Sequence, residues 1–424
     1  MNQLFAANTP ADFWRPLQSV PQSVWDQAAA NAAGVLPAPL VAALNNGAAT
    51  DLMARALDES LFGAERYRLS GLKSIYYAVA RPLLPTWVRP LLRKVYHPAE
   101  EVQSLLEWPV EDRFVRFQFA MLNSVLGQLG QGALDVVGLW PGGRRFAFVL
   151  THDVEARPGH DFVRRVMDLE EKYGFRSSFN FVPEGYRVDH ALLDEMRARG
   201  FEIGVHGLKH DGRLFSSRDL FEERARKINA YAAEWGAVGY RSPMTHRNPE
   251  WMQALDIEYD LSFFDTDPFE PMAGGSMSIW PYTIGRFVEL PYTLMQDHRY
   301  LEVLEQRSPD LWLQKVDFIE ANYGMVLLNS HPDYLLKPGG MAVYEALLAR
   351  MAQRQHAWHA LPREVAEWWR GRAAFDPGQL SQPAPRAELP EAVIWSMERR
   401  GSHVEVRIPG VQELTSSTTA YLGR

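Results

Sequence analysis

FAFVLTHDVE, residues 146–155, is the stretch of sequence that decides the fold. Its apolar run has the length of a buried strand, and its polar residues come at the end. Two further strand patterns, SSFNFV (177–182) and FEIGVHG (201–207), follow it, with helical patterns between them. Strands that alternate with helices predict parallel βαβ units, which form a doubly wound sheet or a barrel. The alternation continues to PREVAEWWRGR (362–372), and about seven strand–helix repeats favour an irregular (β/α) barrel.

Turn signals and composition shifts divide the chain into three regions. WPGG (140–143) is a turn pattern that separates the barrel from what precedes it. Residues 1–140 show helical apolar spacing and are predicted to form a mostly helical N-terminal region. The barrel then occupies 141–376. The last region, 377–424, begins with a proline-rich linker and continues with two alternating runs, which predict a small β-hairpin appendage.

Composition excludes several classes of function. The 424 residues are 46% hydrophobic, which is ample for a large core, and the formal charge of −8 gives no general attraction to nucleic acid. There is no cysteine, so any metal must be held by imidazole and carboxylate groups, as zinc or a similar divalent ion can be. We see neither a secretory signal nor an apolar run long enough to span a membrane. The expected location is therefore the cytoplasm.

Two pairs of polar residues lie at the ends of two of the predicted strands, the first and the third. Asp153 and Glu155 are two apart, so their side chains point to the same side. His206 and His210 are four apart, and Gly207 between them allows a turn tight enough for both rings to reach one ion. Each pair has an ordinary alternative, because acidic residues cap helices and histidines are often solvated. Together, at the carboxyl ends of parallel strands, they predict a metal site.

Two later strand ends carry further candidates. Arg241, in GYRSP, is placed to hold a carboxylate in its ionised form, although an ordinary surface ion pair is an equal alternative. His331, in VLLNSHPDY, is a candidate proton donor, although a single histidine is more often structural. Asp265 and Asp267 are candidates to orient that histidine, and their alternative role is loop capping.

The ordered motifs resemble those of the polysaccharide deacetylase family, also called carbohydrate esterase family 4. The resemblance covers about residues 145–372. THDVE (151–155) matches the block T-F-D-D-G, and His206 to His210 match H-S/T-x-x-H. RSP (241–243) matches R-x-P, and LLNSH (327–331) matches the late L-x-x-H block. Blocks in this order are much more specific than any one of them.

The resemblance implies a (β/α) barrel that hydrolyses acetyl groups on sugars with one divalent metal ion, which we expect to be zinc. His206 and His210 match the family's metal-binding histidines. The family's usual metal-binding aspartate is Val154 here. In branches of the family whose first block reads D-V-D/E, the acid after the valine binds the metal. In this sequence that acid is Glu155. The family's hydroxyl residue between the histidines is replaced by Gly207.

The resemblance also implies the roles of the proton-transfer residues. Asp153 would be the general base, and Arg241 would orient it. The backbone N–H of Met244 would stabilise the oxyanion, although the family usually has an aromatic residue at that position. His331 would be the general acid. Its orienting partner is predicted to be Asp265.

Three acidic and basic residues near these blocks have open roles. Asp267 is the rival of Asp265 as the partner of the acid histidine. Asp297 and His298 either line the cleft or cap a loop. The segments that contain these residues are similar to those of family members found with bacterial surface-polysaccharide biosynthesis.

Three functions are compatible with the sequence. The first is deacetylation of a sugar, N-acetyl before O-acetyl, in a glycan or glycan-biosynthesis intermediate. The second keeps the site but acts on a small amide, as in allantoinase-like relatives. The third is a barrel without metal that binds glycan or acts as a scaffold.

The segment 66–96 mixes basic residues with tyrosines and a tryptophan, and three prolines interrupt it. Basic and interfacial aromatic residues suit peripheral contact with an anionic membrane, at its inner face, or with lipid-linked sugars. The alternative is a helical layer that packs on the barrel.

Overall fold

The computed structural model describes residues 3–42, 51–63, 105–376 and 391–410. The segment 66–96 lies outside the described residues, so its membrane contact stays a prediction. The helices are α1 (Pro10–Trp14), α2 (Gln22–Ala32), α3 (Ala38–Ala42), α4 (Asp51–Leu57), α5 (Arg113–Leu129), α6 (Arg157–Lys172), α7 (His190–Ala198), α8 (Arg218–Trp235), α9 (Pro249–Met252), α10 (Asp297–Glu302), α11 (Asp310–Ala321), α12 (Pro332–Leu335), α13 (Gly340–Met351) and α14 (Pro362–Ala374). Among these helices, none has the length and apolar composition that a bilayer span requires.

The strands fall into two sheets. They are β1 (Ala133–Val137), β2 (Phe146–Val154), β3 (Ser178–Phe181), β4 (Glu202–His206), β5 (Gly239–Arg241), β6 (Tyr259–Asp260), β7 (Tyr282–Ile284), β8 (Phe287–Glu289), β9 (Met325–Ser330), β10 (Ala357–His359), β11 (Ile394–Arg400) and β12 (His403–Arg407).

The large sheet is mostly parallel and curls into the predicted irregular barrel. Its order runs β2, β3, β4, β5, β6, β8, and β9 pairs with β2. The chain after β8 approaches β9 through the parallel bridge between Leu294 and Leu328. All nine residues of β2 are buried, as its apolar sequence predicts. The parallel pairing places the carboxyl ends of these strands at one end of the barrel.

The two other predicted regions are also present. Helices precede the barrel, with α2 packed against α5. The predicted C-terminal hairpin is formed by β11 and β12. β1, which lies in the region predicted to be mostly helical, pairs antiparallel with β11 and makes a three-stranded sheet. The boundaries between the three regions remain predictions.

Candidate active site

Strand pairing brings the predicted site residues to one end of the barrel. Asp153 lies at the end of β2, and His331 directly follows β9, the neighbour of β2. His206 and Arg241 end β4 and β5 and are direct partners in the pairing of those strands. Residues far apart in sequence therefore meet because each one ends a parallel strand.

Asp153 is a buried carboxylate on which three donors converge. Asn180 Nδ2 and Arg241 Nη1 donate to Oδ1 at 3.0 and 3.2 Å, and Asn329 Nδ2 donates to Oδ2 at 2.9 Å. Arg241 is itself held by the Leu261 carbonyl at 2.8 Å. Burial alone would raise the pKa of Asp153, but the Arg241 guanidinium and nearby histidines outweigh it and lower that pKa well below its ordinary value. The carboxylate is therefore ionised and able to accept a proton.

The two amide donors were not predicted from the sequence. Asn180 is the direct partner of Asp153 in the pairing of β2 and β3, and Asn329 lies in β9. A Cβ on Gly204, the partner of Asn180 in β4, would lie 2.0 Å from Asn180 Oδ1, so that glycine makes room for the amide. The available signal was a polar residue inside each apolar strand pattern, SSFNFV and VLLNSH.

His206 presents one ring nitrogen to the site. Its Nδ1 lies 3.0 Å from the Arg241 carbonyl oxygen, and because that oxygen only accepts, Nδ1 carries the proton. Burial lowers the pKa of His206 to about 4, so the ring is neutral at pH 7. Nε2 is buried and has no hydrogen-bond partner among the described residues. A neutral imidazole with an unused, buried lone pair suits metal ligation.

The other two predicted ligands lie beside His206. Ligand atoms of Glu155, His206 and His210 all lie within 4.8 Å of one another. His210 Nε2 is 3.1 Å from Glu155 Oε1. Burial would raise the pKa of Glu155, but His210 outweighs it and lowers that pKa well below its ordinary value. One carboxylate and two imidazoles fit a zinc-type centre.

Asp333, which was not predicted, holds the turn that carries Glu155. Its Oδ2 accepts from the Glu155 backbone N–H, and its Oδ1 accepts from that of Gly159, both at 3.0 Å. A Cβ on Gly159 would lie 2.1 Å from Asp333 Oδ2, so only glycine fits there. The side chain thereby sets the direction in which the chain leaves β2.

The loop of the two histidines packs against the loop that follows β5. Gly207 has a φ of +62°, and a Cβ there would lie 2.5 Å from Cγ of Pro243. This contact explains why a residue with a side chain does not fit at that position. Met244, the predicted oxyanion donor, follows Pro243 and has a φ of 59°. The predicted donor therefore sits on a turn in direct contact with the loop of His206 and His210.

Gly207→Ala is expected to weaken both the fold and metal binding. A left-handed conformation costs a side-chain-bearing residue about 1–2 kcal/mol, and the clash with Pro243 adds about 1–3 kcal/mol. Gly236→Ala is the matched control, because Gly236 has a φ of +60° with nothing within 4 Å of the added Cβ. Denaturant unfolding and zinc titration of both variants make the comparison. Equal losses in the two variants would contradict the role of the Pro243 contact.

His331 is held by Asp297. The ring Nδ1 lies 2.6 Å from Asp297 Oδ1, and the His331 backbone N–H donates to Oδ2 at 2.8 Å. Burial opposes the charged ring, but Asp297 and the site carboxylates outweigh it and raise the pKa of His331 to about 10. Nε2 lies 3.9 Å from Asp153 Oδ2 and also 3.9 Å from Glu155 Oε1. A protonated Nε2 therefore faces the same space as the ionised base.

The prediction that Asp265 contacts His331 was wrong. Asp265 is buried and paired with Lys315, whose Nζ lies 2.8 Å from its Oδ2. Asp267 bonds instead with its own loop, accepting from the Phe269 N–H at 2.8 Å. Asp297 contacts His331 instead, because the chain just before it pairs with β9 at the bridge between Leu294 and Leu328. His298 is also close to His331, with ring centroids 5.5 Å apart.

Asp297, His298 and His331 form a second group of ligand atoms within 4.8 Å of one another. In this group the Nδ1 of His331 and the carboxylate of Asp297 are bonded to each other at 2.6 Å, closer than the 3.1 Å between His210 Nε2 and Glu155 Oε1 in the first group. The first group also contains the buried Nε2 of His206, which has no hydrogen-bond partner among the described residues, and it is the group predicted to hold the metal.

No protein-family model and no curated protein matches the chain. Solved structures match part of it. A protein from Mycobacterium smegmatis assigned as a polysaccharide deacetylase is 20% identical, with a TM-score of 0.45, over 58% of this chain and 98% of that one. One from Bordetella bronchiseptica, assigned as a polysaccharide deacetylase involved in O-antigen biosynthesis, is 18% identical, with a TM-score of 0.35, over 49% of this chain and 91% of that one.

A carbohydrate esterase family 4 pseudoenzyme from Bacillus anthracis also matches, at 15% identity and a TM-score of 0.35, over 52% of this chain and 65% of that one. Structures to which the chain is similar thus include polysaccharide deacetylases, at low identity. The likeness is limited to the fold, so the reaction has to be inferred from the side chains of the site.

Proposed function

We propose that the chain is a metal-dependent hydrolase that removes an N-acetyl group from a sugar of a glycan or glycan-biosynthesis intermediate. The observation that carries this proposal is the closeness of the predicted base and the predicted acid to each other and to the predicted metal ligands. Asp153 Oδ2 and His331 Nε2 lie 3.9 Å apart, beside the group Glu155, His206 and His210. That combination can deliver a proton and accept one within a single reaction.

The residues of the site have distinct tasks in such a hydrolysis. Asp153, held by Arg241, accepts the proton of the attacking water. The N–H of Met244 donates a hydrogen bond to the oxyanion that forms on the acetyl carbon. His331 then protonates the departing nitrogen. A divalent ion on Glu155, His206 and His210, which we propose is zinc, would supply polarisation of the acetyl carbonyl and a lower pKa for the attacking water.

The acid supports an N-acetyl rather than an O-acetyl substrate. An amine is a poor leaving group unless its nitrogen is protonated as the carbon–nitrogen bond breaks. Asp297, bonded to Nδ1, raises the pKa of His331 and so favours the protonated ring that this step needs. The choice of a sugar rests on the sequence blocks that resemble the polysaccharide deacetylases.

Acetate release tests the proposal. Purified protein loaded with zinc is incubated with N-acetylated oligosaccharides, O-acetylated oligosaccharides and allantoin, each with Asp153→Asn protein as the blank. We expect acetate from the N-acetylated sugars. Turnover of allantoin alone would favour the small-amide hydrolase, and no turnover with any substrate and no bound metal would favour the non-catalytic barrel.

Asp297→Asn is expected to move the alkaline limb of the pH–rate profile to lower pH. His331 acts as an acid only when protonated, so activity is retained below its pKa and is lost above it. Without the Asp297 charge that pKa falls, by about 1–3 units for a partner at this distance. Asp265→Asn is the matched control, because Asp265 is also a buried, cation-paired aspartate. If the alkaline limb moved in Asp265→Asn and stayed in place in Asp297→Asn, Asp297 would not be the residue that sets the pKa of His331.

A further inference from the structure

A buried ion pair connects the N-terminal region to the loop of the proposed oxyanion donor. Glu59 lies just after α4, 188 residues before its partner Arg247. Arg247 Nε donates to Glu59 Oε2 at 2.6 Å, and Nη2 donates to Oε1. The two side chains are 1% and 0% exposed. This is a two-bond pair inside the protein, where each charge depends on the other.

Arg247 in turn holds the chain next to Met244. Its Nη1 donates to the Thr245 carbonyl oxygen at 2.8 Å. Its guanidinium lies over the rings of Phe263 and Phe264, 4.9 and 4.7 Å from their centroids. The guanidinium is therefore held by Glu59, by the two rings and by the Thr245 carbonyl of the turn.

That turn has a backbone conformation that needs support. Met244 and Thr245 have φ values of 59° and 53°, so two consecutive residues with side chains are left-handed. Each costs about 1–2 kcal/mol and persists only where the surroundings enforce it. The bond from Arg247 to the Thr245 carbonyl is one such support, and it adds to the backbone bonds from the Thr245 N–H to Ser242 and from the His246 N–H to Pro243.

We propose that Glu59 is a positioning residue for the reaction. It holds Arg247, which holds the turn of Pro243 to Thr245, so that the Met244 N–H points to where the oxyanion forms. The helical region before the barrel then contributes to turnover without touching substrate. The catalytic half of this inference rests on the proposed function, whereas the structural half does not.

Three full-length variants test it. Glu59→Gln removes the charge that holds Arg247. Met53→Ala is the control for lost stability, because Met53 is 1% exposed in α4, the helix before Glu59, and contacts Gln118 rather than the turn. The double variant Glu59→Leu with Arg247→Met replaces the pair with apolar side chains, a change that often leaves stability intact.

The measurements are backbone amide hydrogen exchange of residues 244–246, kcat and KM for acetate release, and the melting temperature. We expect faster exchange in Glu59→Gln and in the double variant, with kcat lower by about 10-fold to 100-fold, less than the loss of an oxyanion donor outright, and KM within about 2-fold of the wild-type value. Met53→Ala should melt earlier with normal exchange and kcat.

Two results would overturn the inference. One is a Glu59→Gln protein with the exchange and kcat of the Met53→Ala control. The other is a double variant that regains wild-type kcat together with its stability, because the pair would then matter only for folding. A wild-type protein that releases no acetate would contradict the proposed function, and the exchange measurement would still decide whether Glu59 holds the turn.

Discussion

Asp153→Asn is expected to lower kcat by about 10²-fold or more, the usual loss for a general base, while metal stays bound. The carboxylate accepts hydrogen bonds from Asn180, Arg241 and Asn329, so all three of these partners are donors. In the asparagine variant an NH₂ group replaces one carboxylate oxygen. It then faces a hydrogen-bond donor, and it cannot accept a proton from water. The fully buried Arg241 also loses its anionic partner, which costs about 3–5 kcal/mol. Steady-state acetate release, measured well below the melting temperature, together with metal analysis, checks the prediction.

Asp265→Asn serves as the matched control here as well. It removes a buried aspartate from a cationic partner, Lys315, outside the group of proposed catalytic residues. It should lose stability without a comparable loss of kcat. Normal turnover by Asp153→Asn, or an equal loss of kcat in both variants, would remove Asp153 from the role of base.

The fold and the meeting of the site residues could be predicted because one rule governs both. The alternating pattern predicts parallel strands, and parallel strands bring their carboxyl ends together. Asp153, His206, Arg241 and His331 each end a strand pattern or follow one, so their proximity follows from topology without any knowledge of side-chain contacts. The two-residue spacing of Asp153 and Glu155 likewise predicts a shared side.

The partner of His331 could not be predicted because it depends on how an irregular segment runs. Asp265, Asp267 and Asp297 all lie in or after the long connection that follows β6, where no strand pattern sets the direction of side chains. The bridge between Leu294 and Leu328 decides which aspartate comes close, and such a bridge leaves no periodic signal.

The pairing of Glu59 with Arg247 could not be predicted from the sequence, for a different reason. A single glutamate near the end of a helix is ordinary in sequence, and its partner Arg247 is 188 residues away. Only the packed structure shows that both charges are buried. The same holds for Asn180 and Asn329, whose amides are visible in the sequence only as polar residues in apolar strands.

His206→Ala is expected to abolish metal binding and, with it, turnover. Two protein ligands, Glu155 and His210, would remain, and two rarely hold zinc against competing ligands. The Arg241 carbonyl fixes the proton of His206 on Nδ1 and leaves the lone pair on the buried Nε2, which the alanine variant loses. Zinc titration of metal-stripped protein checks this, with His210→Ala and Glu155→Gln as companion variants that should also lose affinity.

His246→Ala is the control that tests whether the loss of zinc is specific to the predicted ligands. His246 is another buried histidine near His210, and burial lowers its pKa to about 4, as it does for His206. Its ligand atoms are not grouped with Glu155, His206 and His210. We therefore expect His246→Ala to bind zinc as the wild type does. If His246→Ala lost zinc while His206→Ala kept it, His246 rather than His206 would be the ligand. Full zinc occupancy in Glu155→Gln would show that the acid after Val154 does not bind the metal.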